Sequence, residues 1–332
     1  VKVAVTGATG FVGAPLVASL LADGHDVHAL VHPSADDRQL RDRGVRIVVG
    51  DVRDLASVER TFADVEVVYH LAGVIPGAAR TRAEYAAVNI GGAENVARAA
   101  VSARVRHLVH CSTVAVNGLR AGASAGSAKV LVTEKTPLAP VNAYQWTKLA
   151  AERIVARAAH EDGLSVAIAR LTSLYGVGDV RGVRLYRDIA RGRVVVVGDG
   201  TRRCHPTYLD DAIAGLRCCG TRTPSPGEVF IIGGPDRPSV NELVETIAAV
   251  LDVTPRVLRL PGFPFTIASA LYRRALGRIG PPPGFIDRFD FFVVDHAYDV
   301  SKAERELGFR ARVSLREGVE RTVAWYREMR LL

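Results

Sequence analysis

Apolar residues in the first half of the chain follow two alternating spacings. Short, nearly unbroken apolar runs occur at Val1–Val5, Asp26–Val31, Val45–Val49, Val65–His70, Arg106–Cys111 and Ser165–Ala169. Between them apolar residues recur every three to four positions, most clearly in Phe11–Ala22, Arg82–Val101 and Ala143–Ala159. The runs have strand length and β-branched content, and the intervening stretches have helical period. Runs apolar on both faces belong to strands covered on both sides, so the pattern predicts an α/β fold with a doubly wound parallel sheet.

The regularity changes after Gly176. Proline and glycine cluster at 223–227, 233–235, 261–264 and 280–284, and one further apolar run, Glu228–Ile232, reads as a strand returning to the sheet. With the glycine-rich turn Thr6–Gly13 directly after its first strand, residues 1–176 are expected to form a dinucleotide-binding unit, completed by about 208–236. Residues 177–207 and 237–332 are then expected to form a smaller α/β substrate-binding domain, with helices and loops over the carboxyl ends of the strands. Gly118–Ala128, rich in Gly, Ala and Ser, reads as a loop.

Composition narrows the function classes. Hydrophobic residues make up 48% and charged residues 23% of the 332, as in a globular enzyme. The net charge of +8 comes from scattered arginines rather than a block, so no nucleic-acid partner is expected. Four cysteines without a Cys-x2-Cys pair point to reduced thiols and to no metal centre. The first residues already read as strand, and the apolar stretch Phe263–Leu271 is too short to span a bilayer. A cytoplasmic protein without an integral membrane segment is expected.

Two motifs carry chemistry. Thr6-Gly-Ala-Thr-Gly-Phe-Val-Gly13 joins the first strand to the first helix. In such a turn Gly7 permits the bend, Gly10 lets backbone approach a pyrophosphate and Gly13 lets helix pack on strand. Thr9, Phe11 and Val12 fill the rest of the turn and share its expected contact with the cofactor, whose phosphates would meet the helix N-terminus. Farther on, Tyr144 and Lys148 stand four residues apart in a helical stretch, hence on one face. A phenol is a poor acid or base at neutrality; an adjacent ammonium is expected to lower its pKa towards the working range.

With these motifs the chain resembles the extended short-chain dehydrogenase/reductase family over nearly its whole length. The matches run in order: Thr6–Gly13, Gly50-Asp-Val-Arg-Asp54, His70-Leu-Ala-Gly73, Asn89, Ser112-Thr113, Tyr144 with Lys148, Arg170–Gly176, Tyr208-Leu-Asp-Asp211, Asp299–Ala303 and Glu306–Phe309. The resemblance implies that Tyr144 exchanges a proton with a substrate oxygen, that Lys148 holds the nicotinamide ribose, and that Thr113 hydrogen-bonds the reacting oxygen. Asp51 would accept from the adenine amino group beside Val52, Leu71 and Ala72 would line the adenosine side, and Leu171 would lie near the nicotinamide. Ser112 and Ser173 are expected at the substrate, and Asn89 is expected to orient the neighbouring segment. A homodimer through the helical stretches 82–101 and 143–159 is implied as well.

Departures from the family pattern sharpen the expectation. NAD-preferring members end the second strand on an acid; here His32 stands there, so NADP(H) is expected in preference to NAD(H). The dehydratase acids are absent, since Val114-Ala115 follow Thr113. Ser173 and Cys204 occupy positions where nucleotide-sugar enzymes carry asparagine and arginine. Phe263, Phe265, Leu271, Phe285, Phe289, Phe291 and Phe292 point to an apolar pocket, in the manner of the 3β-hydroxysteroid dehydrogenase and dihydroflavonol-reductase-like branches. The expected function is an NAD(P)-dependent oxidoreductase interconverting a secondary alcohol and a ketone on a small, apolar substrate. A nucleotide-sugar epimerase with tightly bound NAD is the alternative, and a catalytically silent cofactor sensor the alternative from another class.

Overall fold

Asp54 shows at small scale how this sequence builds its elements: its carboxylate accepts from the N–H groups of Ala56 and Ser57 and so starts a helix at Leu55. The computed structural model describes residues 1–79, 81–120, 131–222, 226–264, 267 and 295–332. Its strands are β1 (Lys2–Thr6), β2 (Asp26–Val31), β3 (Arg46–Val49), β4 (Val67–His70), β5 (His107–Thr113) and β6 (Val166–Leu171). They continue with β7 (Ser173–Tyr175), β8 (Arg193–Val197), β9 (Pro206–Tyr208), β10 (Glu228–Ile232) and β11 (Arg256–Leu260). Seven strands form one parallel sheet in the order β10-β6-β5-β4-β1-β2-β3. The order reverses between β1 and β4, which opens a crevice at their carboxyl ends, next to Gly7 and Leu71.

Helices cover both faces. In chain order they are α1 (Gly13–Ala22), α2 (Arg38–Arg41), α3 (Leu55–Phe62), α4 (Arg82–Ala86), α5 (Gly92–Ser102) and α6 (Ala143–Glu161). Then come α7 (Val183–Ala190), α8 (Leu209–Thr221), α9 (Val240–Leu251), α10 (Ser301–Leu307) and α11 (Leu315–Glu328). On one face Val5, Val109 and Phe230 pack with Leu16 of α1 and Leu216 of α8; on the other Ala4 and Leu108 pack with Phe62, Val96 and Val155. Full burial of one such large side chain contributes about 1.5–3 kcal/mol. No helix among the described residues is long and apolar enough to cross a membrane.

Beyond the main sheet the smaller part is α/β, as the fold class expects. It contains two short parallel pairs, β7 with β9 and β8 with β11. The valine run of β8 supplies the reason: Val194 and Val196 point into a second core with Ile189, Ile247, Val319 and Tyr326, while Val195 faces out. The Tyr326 hydroxyl donates to the Asp179 carbonyl (2.6 Å) and so fixes the loop that follows β7. Of the apolar residues expected at the pocket, Phe263 is exposed; Phe265, Leu271, Phe285, Phe289, Phe291 and Phe292 lie outside the described residues.

Candidate active site

The glycine turn sits at the crevice. Gly7 has φ +72°, and a Cβ there would lie 2.7 Å from the Ala72 nitrogen. A Cβ on Gly13 would collide with the Gly7 carbonyl. Only glycine therefore lets the turn close against β4 and α1, and Gly10 N–H donates to Gly7 O (3.0 Å) to finish it. No side chain caps the start of α1 and no acid stands in its first turn. An uncapped start, no neighbouring acid and a positive dipole end make this cradle fit a diphosphate. Thr9, Phe11 and Val12 are part-buried along it, and Ala72 N–H donates to the Thr6 hydroxyl (3.2 Å).

At the rim, Asp51 accepts from the Arg53 backbone (2.8 Å) and from its guanidinium (3.0 Å), which holds the carboxyl below its ordinary range. His32 Nε2 lies 3.3 Å from the same carboxylate, and its Nδ1 is 2.8 Å from the Ser34 hydroxyl. Arg38 forms a two-point pair with Asp36. Val52 is buried, with its carbonyl held by Asn95 (2.9 Å).

Thr113 at the end of β5 and Tyr144 and Lys148 on α6 line one cavity of about 770 Å³ with the glycine turn, Leu71, Leu171 and Ser173. Asn142 starts α6 by accepting from Gln145 N–H (2.9 Å), which places Tyr144 in the first turn and Lys148 one turn deeper. Thr113 Oγ1 accepts from Ala115 N–H (3.2 Å), leaving its own proton to donate. Lys148 is buried and donates to the Cys111 carbonyl (2.7 Å); burial lowers its pKa. Burial also raises the Tyr144 pKa, and the main opposing influences are the Thr113 hydroxyl and the Arg181 guanidinium. The expectation that Lys148 lowers the phenol is therefore corrected, because its ammonium is turned to the β5 backbone and burial dominates at the phenol.

Asn89 occupies a π-helical turn, Ala87–Gly91, between α4 and α5. Its amide accepts from Val74 N–H (2.8 Å) and donates to the Thr147 hydroxyl (3.0 Å), tying the segment after β4 to α6. Ser112 is placed differently from Thr113: its hydroxyl donates to Glu152 (2.5 Å), and Arg170 grips that carboxylate through Nε (2.9 Å) and Nη2 (2.7 Å). Strand alternation is the cause, since neighbours on β5 point to opposite sides. Ser112 thus borders the cavity while its hydroxyl is held by a buried ionic cluster.

Beside that cluster His70 and His110 face each other across β4 and β5, ring centroids 5.2 Å apart. His70 Nδ1 pairs with the Thr6 hydroxyl (2.8 Å). Burial, aided by the Lys148 charge, holds His70 at about 3, and burial holds His205 at about 4, against an ordinary 6.5. His107 and His110 shift the same way. These rings stay neutral in the fold but gain protons near 6.5 once unfolded, so acid favours the unfolded chain. Their stabilisation is complete above about pH 6.5 and is lost as pH falls from there towards about 4. A thermal scan should show Tm falling steadily across that window; a Tm flat down to about pH 4.5 would contradict the buried neutral rings.

Arg181 is the site residue that sequence reasoning missed. It lines the cavity, its guanidinium lies 5.2 Å from the centre of the Phe11 ring, and Asp179 fixes it through Nε (2.7 Å). Its available signal was the run Gly176-Val-Gly-Asp-Val-Arg-Gly182, where glycines on both sides of a charged pair mark a built turn.

Comparison with known proteins sets this geometry in context. The family model described as NAD dependent epimerase/dehydratase family matches residues 3–233. Ceramide reductase of Caulobacter vibrioides is 30% identical over 326 residues, covering 98% of this chain and 94% of that one. 2-alkyl-3-oxoalkanoate reductase of Stenotrophomonas maltophilia is 29% identical over 339 residues, covering 97% and 98%. Among solved structures, gox2253 superposes with a TM-score of 0.83 at 26% identity, over 99% of this chain and 98% of that one. MoeE5 in complex with UDP-glucuronic acid and NAD superposes with a TM-score of 0.76 at 29% identity, over 99% and 100%.

Proposed function

We propose that this chain, which belongs to the NAD dependent epimerase/dehydratase family, is a reductase that converts a ketone on a largely apolar small molecule to a secondary alcohol. One observation carries the reading: Thr113, Tyr144 and Lys148 share a cavity with the glycine turn, and its walls include Val74, Ile75, Val114, Leu171 and Leu174. The names of the ceramide and 2-alkyl-3-oxoalkanoate reductases support the same chemistry.

A bound nicotinamide supplies or accepts hydride at the substrate carbon. The protein's part is proton handling and polarisation. Thr113 donates a hydrogen bond to the carbonyl oxygen, and Tyr144, kept protonated by its burial, gives that oxygen its proton. Lys148 and the uncapped glycine turn would hold the ribose and diphosphate. Asp51 and Val52 would meet the adenine, with Leu71 and Ala72 on the adenosine side. Residues beyond 176, with α7, α9 and α11 as their frame, would form the wall that selects substrate.

NADP(H) is the proposed cofactor form. β2 is followed by His32, an exposed imidazole hydrogen-bonded to the Ser34 hydroxyl, rather than by the carboxylate that would repel a 2′-phosphate. The epimerase reading draws on the nucleotide-sugar complex among the structural neighbours. Against it, Cys204 is buried against the Pro238 carbonyl rather than serving a diphosphate. The test is a ketone panel followed by loss of reduced-nicotinamide absorbance. One cofactor consumed per alcohol formed, with NADPH preferred and the preference moved towards NADH by His32→Asp, is the expected outcome. Turnover without net cofactor consumption would sink the reductase reading in favour of epimerisation.

A further inference from the structure

A second cavity, of about 520 Å³, opens beside the first, and Val180 and Arg181 line both. Its remaining lining is Val183, Arg184, Arg187, Asp188, Arg191 and Arg193, so five guanidiniums face a single carboxylate. The helical repeat explains the row: positions 184, 187 and 188 share the outer face of α7 and Arg191 follows at its C-cap, while Val183, Tyr186 and Ile189 are buried. Arg184 lies 3.7 Å from Asp188, and Arg187 donates to the Leu331 carbonyl. Arg191 and Arg193 have no ion pair among the described residues. Arginine is always charged, and its fork of donors matches phosphate oxygens. Arg181 is paired with Asp179 and Arg184 with Asp188, so Arg187, Arg191 and Arg193 carry the excess positive charge, and a row of this kind running from the edge of the first cavity suits an anion carried on something that enters that cavity.

We propose that this groove binds the phosphate-bearing end of the substrate, so that the ketone arrives on an extended phosphorylated carrier of the coenzyme A thioester type rather than free. The proposal rests on the reductase reading. The eight-residue helix α7 extends the row about 12 Å beyond Arg181, so a compact ketone could not reach its far end.

The test compares wild type with an Arg184→Gln/Arg191→Gln/Arg193→Gln variant. Arg181 is left intact because it lines the first cavity, and Arg187 because it holds Leu331. Two thioesters of one 3-oxoacyl group are assayed, coenzyme A and phosphate-free N-acetylcysteamine. Calorimetry also follows coenzyme A itself binding to NADP-saturated protein, so that the dinucleotide site is closed to it. The variant should raise KM for the coenzyme A thioester about tenfold or more, leaving kcat and the N-acetylcysteamine KM unchanged. Coenzyme A should bind wild type and lose at least about tenfold in affinity for the variant. Equal coenzyme A affinity in both proteins, or no binding to wild type, overturns the groove assignment. Failure of wild type to reduce either thioester overturns the ketone reading instead, because the calorimetric arm does not depend on turnover.

Discussion

Tyr144→Phe should lower turnover by about 10²–10⁴-fold, the usual loss when a positioned acid is removed. The phenol is half-buried at the start of α6, and burial keeps it protonated through neutrality, so it is set to donate rather than to abstract. Removing one hydroxyl leaves the glycine turn, Asp51 and Lys148 in place. Cofactor affinity, read by quenching of protein fluorescence, should therefore change little. Near-normal turnover in this variant would remove Tyr144 from the reaction. Weakened cofactor binding with turnover otherwise intact would make it a binding residue instead.

Glu152→Leu should be the most destabilising of simple replacements near the site. The change strands the Arg170 guanidinium at 4% exposure and leaves the Ser112 hydroxyl without its acceptor. Breaking a buried pair from one side costs about 3–5 kcal/mol, because an uncompensated charge remains inside. Replacing both partners with apolar residues of similar size is often close to neutral. The double variant Glu152→Leu/Arg170→Met should therefore recover most of the loss in denaturant unfolding. The single variant should also lose activity beyond its stability deficit, since Ser112 precedes Thr113 on β5. A single variant within about 1 kcal/mol of wild type would show that the pair is not what holds this strand end.

Periodicity made the central sheet legible. β2 and β10 occupy the residues that the pattern delimits, and the other strands differ from it by one or two residues. Apolar runs buried on both faces cannot be placed elsewhere, which is why they read clearly. The helical stretch 82–101 proves to be two helices joined by the π turn at Asn89, an interruption that leaves the apolar spacing almost unchanged and so escapes a periodic reading. The second core was harder to see. β7 and β9 have three residues each, and β11 is largely exposed, so neither carries a strong pattern.

At the site, types and spacing led to the cavity but not to its electrostatics. The step from Tyr144 to Lys148 identifies a shared helix face, yet it does not disclose that the ammonium turns to the Cys111 carbonyl. Nor does local sequence show that Arg181, brought back from beyond β7, is the cation that favours the phenolate. Ser112 and Thr113 look alike in the chain and both border the cavity, and only the strand's alternation turns the Ser112 hydroxyl to Glu152.

The most direct measurement is a turnover with NADPH deuterated at nicotinamide C4, followed by mass analysis of both product and cofactor. The account predicts one deuteron fixed on the new carbinol carbon and one oxidised cofactor released for each alcohol made. Alcohol formed without deuterium from a cofactor deuterated at both C4 positions, or with cofactor unchanged at the end, would contradict it.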